Sequence, residues 1–172
     1  MTTDITVFGY GSLMNADSLR KTVPTVDALT PAMLHGHTRL FSTKAKKRSE
    51  KSNEPICVLN IKEAPESSVN GICFTVPKEH FDALRQREQA YDMKEVTVET
   101  LYDRKKQNVI TFIDRTEDYD TFVFDEPLQI DYLQICIDGA RAVEEDFYNM
   151  FLDTTHINNK KLRDIEHIRH LI

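Results

Sequence analysis

From Glu95 to Leu101 the chain reads EVTVETL, with Val96 and Val98 alternating with Glu95, Thr97 and Glu99. Alternate side chains of an extended strand point to opposite faces, so this segment has one wet face and one dry face and belongs to a sheet packed on one side. Runs rich in β-branched and aromatic residues predict further strands at Ile5 to Tyr10, Met33 to Ser42, Ile56 to Ile61, Val69 to Val76 and Val109 to Ile113, with a weaker one at Phe122 to Phe124. Helical spacing is confined to four places. Ala16 to Lys21 follows Asn15 as N-cap, and Pro77 to Tyr91 opens on a proline whose missing N–H costs nothing at the first helical position. Tyr132 to Leu152 repeats through Tyr132, Ile135, Val143, Phe147 and Met150, and Lys160 to Leu171 repeats through Leu162, Ile165, Ile168 and Leu171 as a C-terminal cap. Strands mixed with few helices, and no dividing linker, predict a single α+β domain over residues 1–172 whose sheet curls into a small barrel.

Composition narrows what such a domain does. At 172 residues, 40 % of them hydrophobic, the chain is long enough for one core, and its net charge of −6 opposes binding to nucleic acid or to anionic membranes. The opening MTTDIT has neither a basic n-region nor an apolar stretch, and no run nears the length of a spanning helix, which predicts a cytoplasmic protein. Cys57, Cys73 and Cys136 are odd in number and set among apolar neighbours, as buried reduced thiols are. Ser42 to Glu54, with Lys44, Lys46, Lys47, Arg48 and Lys51, reads as an exposed loop. A lid over an acidic ligand, or a contact for an acidic partner, are its functional alternatives.

Two features carry chemistry. The stretch VFGYGSLM, Val7 to Met14, fits neither the P-loop nor the dinucleotide-binding template, yet a strand ending in Gly11 and Ser12 before a helix leaves N–H groups for an anionic oxygen. A plain tight turn is the alternative. The second feature is Glu88. At about 100° per residue, Phe81, Leu84, Glu88 and Tyr91 share a helical stripe about 80° wide, which sets a carboxylate on an apolar face. Such a group is either paired, here with Arg85 or Arg87, or available as a general acid/base, and the pattern leaves both open. His35 and His37 share a strand face without a third ligand at suitable spacing, so no metal site is expected, and no thiol nucleophile is supported.

YGSL at Tyr10 to Leu13, after its hydrophobic strand, resembles the signature turn of the γ-glutamylcyclotransferase-like superfamily, which includes the ChaC-like and AIG2-like proteins. PAMLHGHTRLFS, VNGICFTV, REQAYDMKEVTV and YLQICIDGA resemble that superfamily's later landmarks in the expected order, and the ChaC-like branch is the nearest. The basic run replaces a shorter, more aromatic segment of that branch. The resemblance implies a mixed β-barrel with a few flanking helices and a γ-glutamylcyclotransferase acting on a small γ-glutamyl peptide or amine, such as glutathione, without cofactor. It implies that Tyr10, Gly11, Ser12 and Leu13 hold the γ-glutamyl portion, that Glu88 is the acid/base, and that Tyr132 contacts the substrate. A non-catalytic module binding γ-glutamyl or other carboxylate metabolites is the alternative function, and oligomeric state is not legible.

Overall fold

In the computed structural model, which describes residues 3–45, 55–116, 119 and 121–172, the chain closes a mixed barrel of five strands. These are β1 (Ile5–Gly9), β2 (Thr30–Ala45), β3 (Ile56–Val76), β4 (Asp92–Thr100) and β5 (Lys106–Ile113). They run in the order β3-β1-β5-β4-β2, and β2 pairs back onto β3 to complete the circuit. Four of the pairings are antiparallel, while β1 and β5 are parallel, with Val7 opposite Ile110. Parallel neighbours end on the same rim, and that is where the chain leaves β1 through Tyr10 and β5 through Asp114.

Four helices, α1 (Ala16–Arg20), α2 (Lys78–Arg87), α3 (Pro127–Arg141) and α4 (Glu145–Thr154), flank the barrel among the described residues. Asn15 caps α1 as its sequence suggests, its Oδ1 accepting from the Ser18 N–H at 3.0 Å. Two short strands, β6 (Thr155–Ile157) and β7 (Lys160–Lys161), extend the sheet outward from β2. No helix among the described residues is long and apolar enough to cross a membrane.

Several elements differ from the sequence pattern. The two strands expected at Ile56 to Ile61 and Val69 to Val76 are one, because the polar stretch between them still pairs with β2; a register shift between His35 and His37 absorbs the residues from 64 to 67. The expected helix Tyr132 to Leu152 starts earlier and breaks between Arg141 and Glu145. Glu145 and Asp146 then occupy the first turn of α4, where the helix dipole favours them. Pro77 is the N-cap of α2 rather than its first residue, and α2 stops at Arg87 instead of reaching Tyr91. Phe122 to Phe124 is not a strand; Phe122 packs edge-on against Phe41 with ring centroids 5.0 Å apart. The C-terminal cap expected over Lys160 to Leu171 is β7 followed by two 3-10 turns, Leu162–Asp164 and Glu166–Leu171. Most of the basic run from Ser42 to Glu54 lies outside the described residues; Ser42 to Ala45 are the last residues of β2 rather than loop, with Lys44 Nζ 5.5 Å from the Tyr119 ring centroid.

The glycine at 139 sets how closely α3 meets the turn after β1. A Cβ there would lie 2.7 Å from the Asn15 nitrogen and 2.9 Å from the Met14 carbonyl carbon, while Asn15 Nδ2 donates to the Ile135 carbonyl at 3.1 Å. Alanine gains about 1 kcal/mol over glycine in an open helix. Here the backbone clash outweighs that gain, so Gly139→Ala lowers the unfolding free energy by about 1–2 kcal/mol in urea titration. All three cysteines are buried, and burial pushes the Cys73 thiol up to about 11. The folded protein therefore gives no fast reaction with a thiol reagent at pH 8, and all three thiols react once guanidinium unfolds it.

Candidate functional site

The rim where β1 and β5 end together opens into a cavity of about 800 Å³. Its wall includes the turn from Tyr10 to Leu13, Leu59 of β3, the segment from Gln86 to Tyr91, Asp114 after β5, and Tyr132 of α3. All six residues singled out from the sequence, Tyr10, Gly11, Ser12, Leu13, Glu88 and Tyr132, thus border one space.

The turn is fixed from several sides. Thr111 Oγ1 donates to the Phe8 carbonyl and Tyr10 Oη donates to the Phe112 carbonyl, which locks the ends of the two parallel strands together. Burial holds the Tyr10 phenol well above its usual range, and Tyr91, Glu88 and Asp114 push in the same direction. Tyr10 therefore presents its ring and main chain to the cavity while its hydroxyl serves the barrel. Ser12 opens a 3-10 turn, Ser12–Met14, in which the Met14 N–H returns to the Gly11 carbonyl at 3.0 Å. The N–H groups of Gly11, Ser12 and Leu13 precede the first donor of that turn, the Met14 N–H, and among the described residues no main-chain carbonyl outside the sheet takes them. A Cβ on Gly11 would stand 3.2 Å from Tyr132 Oη and 3.4 Å from Leu59 Cβ, so a bare backbone is what fits between the helix and β3.

Side chains replace a neighbouring strand along the first part of β3. Gln129 bonds both backbone groups of Cys57, at 2.8 and 2.7 Å. One turn later on α3, Tyr132 Oη accepts from the Leu59 N–H at 3.2 Å, and Tyr91 Oη donates to the Leu59 carbonyl at 2.7 Å. Tyr132 is thus a core tyrosine, 3 % exposed, whose hydroxyl also borders the cavity.

Glu88 is the C-cap of α2: its N–H bonds the Leu84 carbonyl at 3.0 Å and its own carbonyl accepts from Tyr91 N–H at 2.9 Å. It therefore sits one residue past the helix on which the sequence places it, but the stripe still faces inward, with Leu84 buried and the Glu88 side chain 12 % exposed. Of the two candidate cations, Arg87 is the one beside it, Nε to Oε1 at 3.3 Å, while Arg85 is exposed. Arg87 also reaches across to α1 and the turn, donating to the Ser18 carbonyl at 2.7 Å, to Ser18 Oγ at 2.9 Å and to Ser12 Oγ at 3.3 Å. One guanidinium thereby ties the carboxylate to the signature turn.

Sequence reasoning missed Arg39, which lies behind the turn and is fully buried. Its Nη1 donates to the Tyr10 carbonyl at 3.1 Å and to the Asn70 carbonyl at 2.6 Å. Nη2 donates to Asn70 Oδ1 at 2.7 Å and Thr154 Oγ1 at 2.8 Å, Nε to Thr155 Oγ1 at 2.7 Å, and the Phe151 ring lies 4.5 Å from the guanidinium carbon. Burial lowers its pKa to about 9. The one available signal was a basic residue inside an otherwise strand-like run, between Thr38 and Leu40. Tyr91 and Asp114 were also missed; Tyr91 lay on the helical stripe, whereas nothing near Asp114 marks it.

A closed five-stranded mixed barrel with a few flanking helices is the γ-glutamylcyclotransferase-like fold, and solved structures share it. The chain is similar to a γ-glutamyl cyclotransferase at 17 % identity, covering 98 % of both chains with a TM-score of 0.71. It is similar to an uncharacterised protein from Homo sapiens at 18 % identity, covering 98 % of this chain and 97 % of that one, with a TM-score of 0.70. A γ-glutamyl cyclotransferase specific to glutathione from yeast aligns at 16 % identity over 98 % of this chain and 85 % of that one, with a TM-score of 0.55. No curated protein matches the sequence. Residues 5–148 match the family of ChaC-like proteins, and the chain belongs to that family.

The Tyr132 hydroxyl is the acceptor for a buried N–H, so Tyr132→Phe leaves that N–H without it and lowers the unfolding free energy by about 1–2 kcal/mol, measured by chemical denaturation.

Proposed function

We propose that this protein is a γ-glutamylcyclotransferase that releases 5-oxoproline from a γ-glutamyl peptide or amine. The observation that carries the reading is the meeting, around one cavity, of Glu88, the main chain of Tyr10 to Leu13, and Tyr132. Membership of the ChaC-like family and the barrel shared with γ-glutamyl cyclotransferases support it.

The nucleophile of this reaction is the substrate's own α-amine. The enzyme has to fold the glutamyl chain back on itself, which turns a difficult encounter into a ring closure. The N–H groups of Gly11, Ser12 and Leu13 hold the γ-glutamyl portion and face the oxygen on which charge develops. Gly11 and Tyr132 close the wall behind it. Glu88 takes a proton from the α-ammonium; the freed amine attacks the γ-carbonyl carbon, and a five-membered ring forms. As the carbon–nitrogen bond to the leaving group breaks, Glu88 returns a proton to the departing nitrogen. Over the cycle two protons pass in turn through Glu88 from the attacking nitrogen to the leaving one, giving 5-oxoproline and the released amine as its ammonium ion. This route calls for neither a metal nor an organic cofactor.

Mass-spectrometric detection of 5-oxoproline from glutathione, γ-glutamyl-alanine and γ-glutamyl-ε-lysine tests the reading and selects among leaving groups. Glu88→Gln is expected to fold and to lose turnover by about 10²–10⁴-fold. An unaffected Glu88→Gln rate would refute the assignment. Tight calorimetric binding of a γ-glutamyl ligand without turnover would instead favour a binding module, in which Glu88 serves only as the counter-ion of Arg87.

A further inference from the structure

We propose that Arg39 is a positioning residue for the turn from Tyr10 to Leu13, and that the chain beyond the family match completes its grip. All five guanidinium N–H groups are engaged, and they reach three separate parts of the chain. One acceptor, the Tyr10 carbonyl, is the last main-chain acceptor before Gly11 and Ser12. Two are on Asn70 of β3, whose own Nδ2 donates to the Phe147 carbonyl of α4 at 2.8 Å. The remaining two, Thr154 Oγ1 and Thr155 Oγ1, lie outside residues 5–148.

A residue that only filled this volume would not need a charge, because burying one among neutral acceptors is costly unless each donor is placed. Here every donor is placed, and the fork geometry allows only one orientation of the plane. The threonines hold Nε and Nη2, which leaves Nη1 aimed at Tyr10. Loss of a threonine acceptor therefore frees the guanidinium to turn and releases the carbonyl that anchors the turn. Thr155 is not among the residues that line the cavity, and its Oγ1 holds Arg39 Nε, so Arg39 is the route by which loss of that hydroxyl reaches the turn.

The kinetic part of this inference rests on the cyclotransferase reading. The test compares Thr155→Val, which keeps the shape and removes the acceptor, with Thr155→Ser, which keeps the acceptor, and with Arg39→Lys. In each, the unfolding midpoint, kcat/KM for 5-oxoproline release well below that midpoint, and the ¹H–¹⁵N resonances of Gly11, Ser12 and Leu13 are measured. Thr155→Val and Arg39→Lys are expected to lower kcat/KM about tenfold or more and to shift those three resonances, while Thr155→Ser restores both. A lowered midpoint with native kcat/KM and native resonances in Thr155→Val would reduce Arg39 to a purely structural role and overturn the proposal. If the native chain releases no 5-oxoproline, the cyclotransferase reading fails on its own. The resonances then decide the matter: a shift in Thr155→Val that Thr155→Ser reverses upholds the coupling, and its absence ends it.

Discussion

A guanidinium fully enclosed by protein, with no carboxylate among its hydrogen-bond partners, holds the remaining parts of this molecule in register. Burial works against the charge, and the lowered pKa of about 9 still leaves Arg39 protonated at neutral pH. Compensation comes from oriented dipoles. Thr154 is the last residue of α4, so the negative end of that helix points toward the guanidinium, and the Phe151 ring offers its face one turn earlier. Since the acceptors belong to the turn after β1, to β3, and to the junction of α4 with β6, the position of each is defined by the other two.

A second theme is the use of side chains where a sheet would ordinarily use another strand. Backbone groups of a strand must find partners, and a continuous strand beside Cys57 and Leu59 would fill the space that is the cavity. Gln129 and Tyr132, three residues apart on one face of α3, supply those partners from one direction, and Tyr91 supplies another from the end of the Glu88 segment. The barrel is satisfied at its rim without being sealed there. The cavity is a product of this substitution, and its three wall tyrosines, Tyr10, Tyr91 and Tyr132, each complete a hydrogen bond of the fold.

Local periodicity made β1, β4, the Asn15 cap and the inward stripe of α2 legible, because each depends on residues a few positions apart. The motif order made the barrel and the meeting of the turn with Glu88 legible. What escaped depends on distant partners. Residues 62 to 68 are polar enough to read as a loop, and the pairing of Lys62, Glu63 and Ser68 with β2 on either side of the register shift is what keeps β3 continuous. The break between α3 and α4 lies inside a run of good helical spacing, and only the acidic start of α4 marks it. Arg39 finds its acceptors 29, 31, 115 and 116 positions away, so no window of sequence could show that this one basic residue is buried.

The placement of Glu88 one step beyond α2 makes helix length a ruler. Ten residues from Lys78 to Arg87 carry the chain from the end of β3 to the carboxylate, and each residue added or removed would swing the following side chain by about 100° about the helix axis. The outward positions, such as Asp82, Ala83 and Arg85, are free to change in identity. Their number is not, so across diverging sequences this helix should vary by substitution and resist insertion, even where its surface shares nothing.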